Sequence, residues 1–256
     1  MLSRHTSMVD RQQLPEYVHR IGKDHSFSFA CHPQVKCFTD CCRMLELSLT
    51  PYDVLRLRRG TGLCSSEVLE RYIIIEQDPG EAFPRLYLTM VDDGKASCVF
   101  LGPKGCSIYE HRPGACRTYP LGRAVSRTQT GSEEHFVMMK EAHCQGFLES
   151  VKQTPRSYCI DQQLACYYQF NDLVMGILQH ETIRAGFIPS HQNIEFYLLV
   201  LYDLDTFRGL LFENRLGVSI TAEHLKTLED DENLLRFGIT LLHERIFAQF
   251  SRTLEK

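Results

Sequence analysis

The sequence predicts an α+β fold, with a small β-containing cysteine-cluster region followed by a C-terminal helical bundle. Three observations carry that expectation. All eleven cysteines lie in the first 166 residues, and the last 90 contain none. Short apolar runs bounded by Gly, Pro and Asp turns fill much of the first half, as strands of a small sheet do. The second half instead repeats its apolar residues at helical spacing. The expected division is residues 1–150 for the cysteine-cluster region and 151–256 for the helical region.

In chain order, Glu46–Leu49 reads as a short strand. Thr50-Pro51 then starts a helix, because Thr is a good N-cap and Pro is tolerated at the first helical position. That helix carries Tyr52, Val54, Leu55 and Leu57, and Gly60 is the expected stop. Ser65-Ser66 opens a second short helix through Arg71. Ile73–Glu76, Leu86–Val91, Cys98–Leu101 and Glu134–Met139 read as strands, with turns at Asp93-Gly94 and Gly102–Gly105. Helices are expected over about 161–180, 191–213, 221–229 and 231–254. Thr221 and Asp230 or Asp231 are the N-cap candidates for the last two. Leu234, Leu235, Ile239, Leu242, Ile246 and Phe250 make a stripe that reads as core.

Hydrophobic content of 43% and charged content of 23% are ordinary for a globular chain, which excludes a wholly disordered protein or a collagen-like fibre. The net charge of −4 leaves no basic excess for phosphates, so general nucleic-acid binding is not expected. The longest strongly apolar run, Tyr197–Tyr202, falls far short of the ~20 residues of a membrane span. The opening MLSRHTSMVDRQQ has no apolar stretch after its charges and does not read as a secretory signal. A cytoplasmic, reducing location is therefore expected, where clustered cysteines bind metal or do redox work more often than they form disulfides.

Four cysteines are packed as C-x5-C-x3-C-C over Cys31, Cys37, Cys41 and Cys42. Cys98, Cys106 and Cys116 form a second group, with Gly102, Gly105 and Gly114 supplying turns and open amides. Thiolates on local loops suit zinc and iron–sulfur clusters alike. The ferredoxin run C-x2-C-x2-C-x3-C is absent, the C-x3-C-x2-C pattern fails at Met44, and there is no pair of C-x2-C motifs. Neighbours in sequence rarely both reach one ion, so Cys41 and Cys42 serve two sites or one of them packs. Arg112 and Arg117 bracket Cys116, where cations lower thiol pKa. Pairing with a carboxylate such as Glu110 or Asp53 is the equally weighted structural role. His32, His111 and His143 are secondary ligand candidates. Cys64, Cys159 and Cys166 read as packing residues, and so do Tyr109 and Tyr119 over the cluster. Neither a glycine-rich phosphate loop nor a G-x-S-x-G elbow is present.

These segments resemble the YkgJ-like cysteine-cluster family, named for a C-x2-C-x2-C-C motif and described as zinc- or iron-chelating. The resemblance runs over about residues 27–147. It rests on Phe29-Ala30-Cys31 through Cys41-Cys42, on Leu49-Thr50-Pro51-Tyr52-Asp53-Val54-Leu55-Arg56-Leu57, and on Cys98-Val99-Phe100-Leu101. Its most specific part is Cys106-Ser107-Ile108-Tyr109-Glu110-His111-Arg112-Pro113-Gly114-Ala115-Cys116-Arg117-Thr118-Tyr119-Pro120, and Cys144-Gln145-Gly146 closes it. The first cluster departs from the family by its longer spacing. The resemblance implies eight metal ligands: Cys31, Cys37, Cys41, Cys42, Cys98, Cys106, Cys116 and Cys144. Eight suit two four-ligand sites, or one polynuclear cluster with spares.

The function expected is therefore a cytoplasmic metal-binding protein holding zinc or an iron–sulfur cluster, with a redox or chelating role. Two alternatives stay open. The cysteine-cluster domain is associated with S-adenosylmethionine-dependent lysine N-methylases, which implies a protein-modifying enzyme, though no catalytic residue is legible. A structural zinc protein, with its C-terminal helices binding a protein partner, is the other.

Overall fold

The computed structural model describes residues 14–128 and 131–251. The opening stretch MLSRHTSMVDRQQ, and the last three residues of the helix expected over 231–254, lie outside them.

The first part of the chain is strand-rich. It runs β1 (Val18–Ile21), β2 (Phe27–Ser28), β3 (Ser48–Leu49), α1 (Pro51–Thr61), α2 (Ser65–Tyr72), β4 (Ile73–Glu76), β5 (Arg85–Leu88), β6 (Met90–Val91), β7 (Ser97–Cys98), β8 (Leu101–Gly102), β9 (Gly105–Cys106), α3 (Gly114–Thr118), β10 (Leu121–Thr128), β11 (Gly131–Met139) and β12 (Lys152–Gln153). The remainder is helical: α4 (Pro155–Asp161), α5 (Ala165–Leu178), α6 (Glu181–Arg184), α7 (His191–Tyr202), α8 (Leu204–Phe212), α9 (Ala222–Thr227) and α10 (Asp231–Ser251). The α+β architecture with C-terminal helices matches the expectation. The strands make small antiparallel sheets in the orders β1-β11-β10 and β3-β5-β4, plus three two-stranded ribbons.

Thr50 caps α1 as its sequence requires. Its hydroxyl accepts from the Asp53 amide while the Asp53 carboxylate takes the Thr50 amide, a capping box with Pro51 at the first position. The helix runs past Gly60 and stops at Gly62, whose φ of +70° is the left-handed C-cap conformation. Gly60 instead lies against His111, whose Cβ is 2.8 Å from where a Cβ on residue 60 would be. The helix expected over 161–180 is α5, which starts four residues later, and Asp161 instead ends a separate helix, α4. α4 begins at Thr154-Pro155, a cap signal like that of α1, and Gln163 at φ +53° breaks the chain before α5. The expected helix 191–213 divides, because Asp203 leaves helical geometry and gives its carboxylate to the Ser65 and Ser66 hydroxyls. That break turns Leu204, Phe207 and Leu211 into the core. β10 and β1 are strands the sequence does not announce.

The main core joins α1, α5, α7, α8 and α10 to the β3-β5-β4 sheet, so residues from both halves share it. Tyr52 lies stacked on Phe170, ring centroids 4.7 Å apart, and edge-on to Tyr167 at 4.9 Å. Leu234, Leu235, Ile239, Leu242 and Ile246 are buried as the stripe predicts; the Phe250 side chain is outside the described residues. A second, smaller core of Phe27, Phe29, Leu121, Met138 and Tyr158 lies beside the cysteines, with Tyr119 and Cys144 packed against it. No described helix is long and apolar enough to cross a membrane.

Candidate metal centre

Four stretches of chain bring the eight candidate cysteines to one region. Cys31 follows β2, which pairs with β12, and the Ala30 amide donates to the Gly146 carbonyl at 3.1 Å. That bond sets Cys31 beside the Cys144 segment. Cys37 is tied to the same place, since the Gln145 amide donates to its Sγ at 3.1 Å. Cys41 and Cys42 share a short 3₁₀ turn, Asp40–Cys42. An isolated bridge between Arg43 and Ser97 then lays Cys42 next to Cys98. Cys98 sits in a ribbon opposite Met90, and Cys106 in a hairpin opposite Leu101. The φ of +112° at Gly105 turns that hairpin.

Cys116 rides on α3, which Asp53 fixes. The Gly114 amide donates to Asp53 Oδ1 at 2.7 Å, while Oδ2 accepts the Thr50 amide and hydroxyl, each at 2.8 Å. Asp53 is 3% exposed. Burial pushes its carboxyl up and these hydrogen bonds oppose the shift.

The thiols hold one another's protons. Burial, with Cys41, Cys37 and Cys144 nearby, pushes Cys31 up to about 11. Cys116 has an exposed edge but dense protein behind it, and burial with Cys98, Asp53 and Cys41 raises it to about 12. Burial also raises Cys98, Cys106 and Cys144. Cys41 and Cys42 share a hydrogen bond. Cys42 keeps the proton and is pushed up, and Cys41, as acceptor, is held down.

Backbone amides oppose those rises. Phe100 and Leu101 point theirs at Cys98, Ile108 at Cys106, and Gly146 at Cys144. Amides aimed at sulfur favour the thiolate, the state a metal requires. The Tyr119 hydroxyl oxygen is buried, faces Cys144 and Glu141, and lacks a partner with full hydrogen-bond geometry. Thiolate donors with amide support and a waiting hydroxyl fit a thiophilic ion or cluster. Among the described residues, however, no three His, Cys, Asp or Glu side chains already stand close enough to share one ion.

The two arginines divide the roles expected of them, and among the described residues neither pairs with a carboxylate. Arg117, 3% exposed, donates to the carbonyls of Arg112, Gln162 and Glu110 and to the Tyr167 hydroxyl, so it fixes the loop. Arg112 donates to the Tyr109 carbonyl and the Gln162 side chain, and its charge also favours the thiolates of Cys31 and Cys106. Gln162 and Tyr167 give no signal in the sequence, because their partners are 45 to 55 residues away.

The minor candidates separate as well. His32 is engaged by Gln34 and Glu149, and His111 packs under Gly60. His143 alone of the three lines the small pocket formed by Cys31, Cys37, Cys41 and Cys144. Cys64 does not pack inside: it is exposed at the start of α2, whose backbone it caps. Cys159 is half-buried against the Tyr168 hydroxyl at 3.6 Å, and Cys166 is exposed on the next helix, so the two share no helix face. Tyr109 is half exposed and stacks on Arg112, with 3.8 Å from guanidinium to ring centre. Tyr119 packs edge-on to Phe29. A larger cleft between α5, β10 and the loop before β5 contains no cysteine.

Neither the curated proteins nor the solved structures compared with the chain gave a significant match. A family model does match, over residues 30–145, and its description is "Putative zinc- or iron-chelating domain". The matched stretch begins one residue before Cys31 and ends one after Cys144, so it spans all eight candidate cysteines, and this part of the chain is similar to the CxxCxxCC domain.

Proposed function

We propose that this protein binds metal through the clustered cysteines, holding zinc or an iron–sulfur cluster in a reducing compartment such as the cytoplasm. The ligands proposed are Cys31, Cys37, Cys41, Cys42, Cys98, Cys106, Cys116 and Cys144. One observation carries the reading. Four separate chain segments converge their cysteines on one region, and backbone amides point at several of the sulfurs. A packing cysteine has no need of such amides, whereas a ligand thiolate does. All described cysteines are free thiols, which suits metal ligation and a reducing location. Bound zinc would supply a fixed divalent charge, and a bound iron–sulfur cluster one-electron chemistry. The chain's own residues supply the rest: Arg112 offsets thiolate charge, Arg117 and Asp53 hold the Cys116 loop, and Tyr119 presents its hydroxyl.

Anaerobic purification followed by metal analysis, acid-labile sulfide assay and a visible spectrum tests this. Iron and sulfide in near-equal amounts in a brown protein support the redox form of the reading. A colourless protein with stoichiometric zinc supports the chelating or structural form. Absence of both metals, with all thiols free and no uptake of added metal, refutes it.

A further inference from the structure

We infer that the eight cysteines form two separate four-thiolate centres, Cys31/Cys37/Cys41/Cys144 and Cys42/Cys98/Cys106/Cys116, with the adjacent Cys41 and Cys42 assigned to different ones. The inference rests on the metal-binding reading above and decides between two sites and one polynuclear cluster.

Geometry divides the set. One small pocket, walled by Phe29, Val35 and Tyr119, has Cys31, Cys37, Cys41 and Cys144 on its lining and none of the other four. Its members are joined by the backbone, through the Ala30–Gly146 bond and the Gln145 amide on Cys37. The second set has its own framework: the Arg43–Ser97 bridge, the two ribbons that carry Cys98 and Cys106, and the α3 turn anchored on Asp53. Side chains of neighbouring residues project about 120° apart in a 3₁₀ turn of about three residues per turn. Cys41 and Cys42 occupy such a turn, so their side chains leave the backbone in different directions, and of the two only Cys41 lines the small pocket. Metal binding would draw each set of sulfurs inward and displace their protons.

The test is an anaerobic titration of the reduced, metal-free full chain with Co²⁺, following the thiolate-to-cobalt charge-transfer and d–d bands. The wild type should saturate at two equivalents. The triple variants Cys31→Ser/Cys37→Ser/Cys144→Ser and Cys98→Ser/Cys106→Ser/Cys116→Ser should each keep one equivalent with an unchanged four-thiolate spectrum. Cadmium-113 NMR of the wild type needs no variant and should show two resonances in the four-thiolate region. Saturation at one equivalent with a single cadmium resonance overturns the inference and leaves the metal-binding reading intact. So does loss of both equivalents in a triple variant that keeps the wild-type far-ultraviolet spectrum. No cobalt uptake at all by the reduced wild type overturns the metal-binding reading itself.

Discussion

Replacing Asp53 with Ala removes one carboxylate from between α1 and the Cys116 turn, and its cost can be worked from three contacts. Oδ2 accepts the Thr50 amide and hydroxyl, and Oδ1 accepts the Gly114 amide. Losing the capping box costs about 1 kcal/mol. Leaving the Gly114 amide buried without an acceptor costs about 1–3 kcal/mol more. Burial already raises the Asp53 carboxyl, so relief of its desolvation recovers part of that sum. A net loss of about 2–3 kcal/mol is a large share of the ~5–15 kcal/mol that holds a typical fold. At about 2–4 °C per kcal/mol for a chain of this size, the melting temperature should fall by roughly 4–12 °C. Differential scanning calorimetry of the reduced, metal-free protein measures it. Metal affinity should fall as well, with the Cys116 centre weakened before the Cys31 centre. A fall in melting temperature below about 2 °C would refute the assigned role of the Gly114 contact.

Three further outcomes follow from the same structure. Gly238→Ala should destabilise by about 1–3 kcal/mol, because its Cβ would lie 2.3 Å from the Val200 carbonyl oxygen and push α10 off α7; an unchanged urea midpoint would show that the helices yield freely. Arg117→Met should cost about 2–4 kcal/mol through its lost charged hydrogen bonds to buried carbonyls, and equal stability of variant and wild type in urea would contradict the loop-fixing role. Asp205 gives a pH dependence: burial opposes its ionisation, but the two-pronged contact from Arg58 at 2.6 and 2.7 Å and the Ser65 amide outweigh it and lower its pKa. Because its folded pKa lies below its unfolded value of about 3.9, the stability it contributes is present above pH ~4 and lost as pH falls through the folded value. Asp205→Asn should therefore differ most from wild type in urea midpoint at pH 7, with the gap narrowing below pH 4. A gap that stays constant down to pH 3 would count against it.

Local signals made much of this legible in the sequence. Thr50-Pro51 caps its helix, the 234–246 stripe is buried, and Ile73–Glu76 is a strand at its expected ends. Each depends on residues a few positions apart. What the sequence hid is long-range. Gly60 read as a helix stop, but contact with His111 keeps it inside the helix and moves the stop to Gly62. Asp203 looked like one residue of a long helix until Ser65 and Ser66, more than 130 positions earlier, took its carboxylate. Cys64 read as core because cysteine is so often buried, yet its place at a helix start leaves it at the surface. Clustering in the sequence marked Cys31–Cys42 and Cys98–Cys116, and Cys144 joined them only through the family resemblance. Their grouping was not legible, since it depends on pairings such as β2 with β12 and Arg43 with Ser97.

The pairing of β2 with β12 also orders events during synthesis. The segment that leads into Cys31 has its backbone partners at Gly146, Val151 and Gln153. At roughly 5–20 residues per second, a ribosome needs about 6–24 s to make the intervening stretch. For that interval the nascent chain carries the Cys31, Cys37 and Cys41 thiols with no strand to seat them. Cys98, Cys106 and Cys116 emerge within it and bring their own ribbons and Asp53 anchor. The sulfurs nearest the start of the chain are therefore the last to be seated, and the newborn protein passes through a stage in which its earliest cysteines are its least protected.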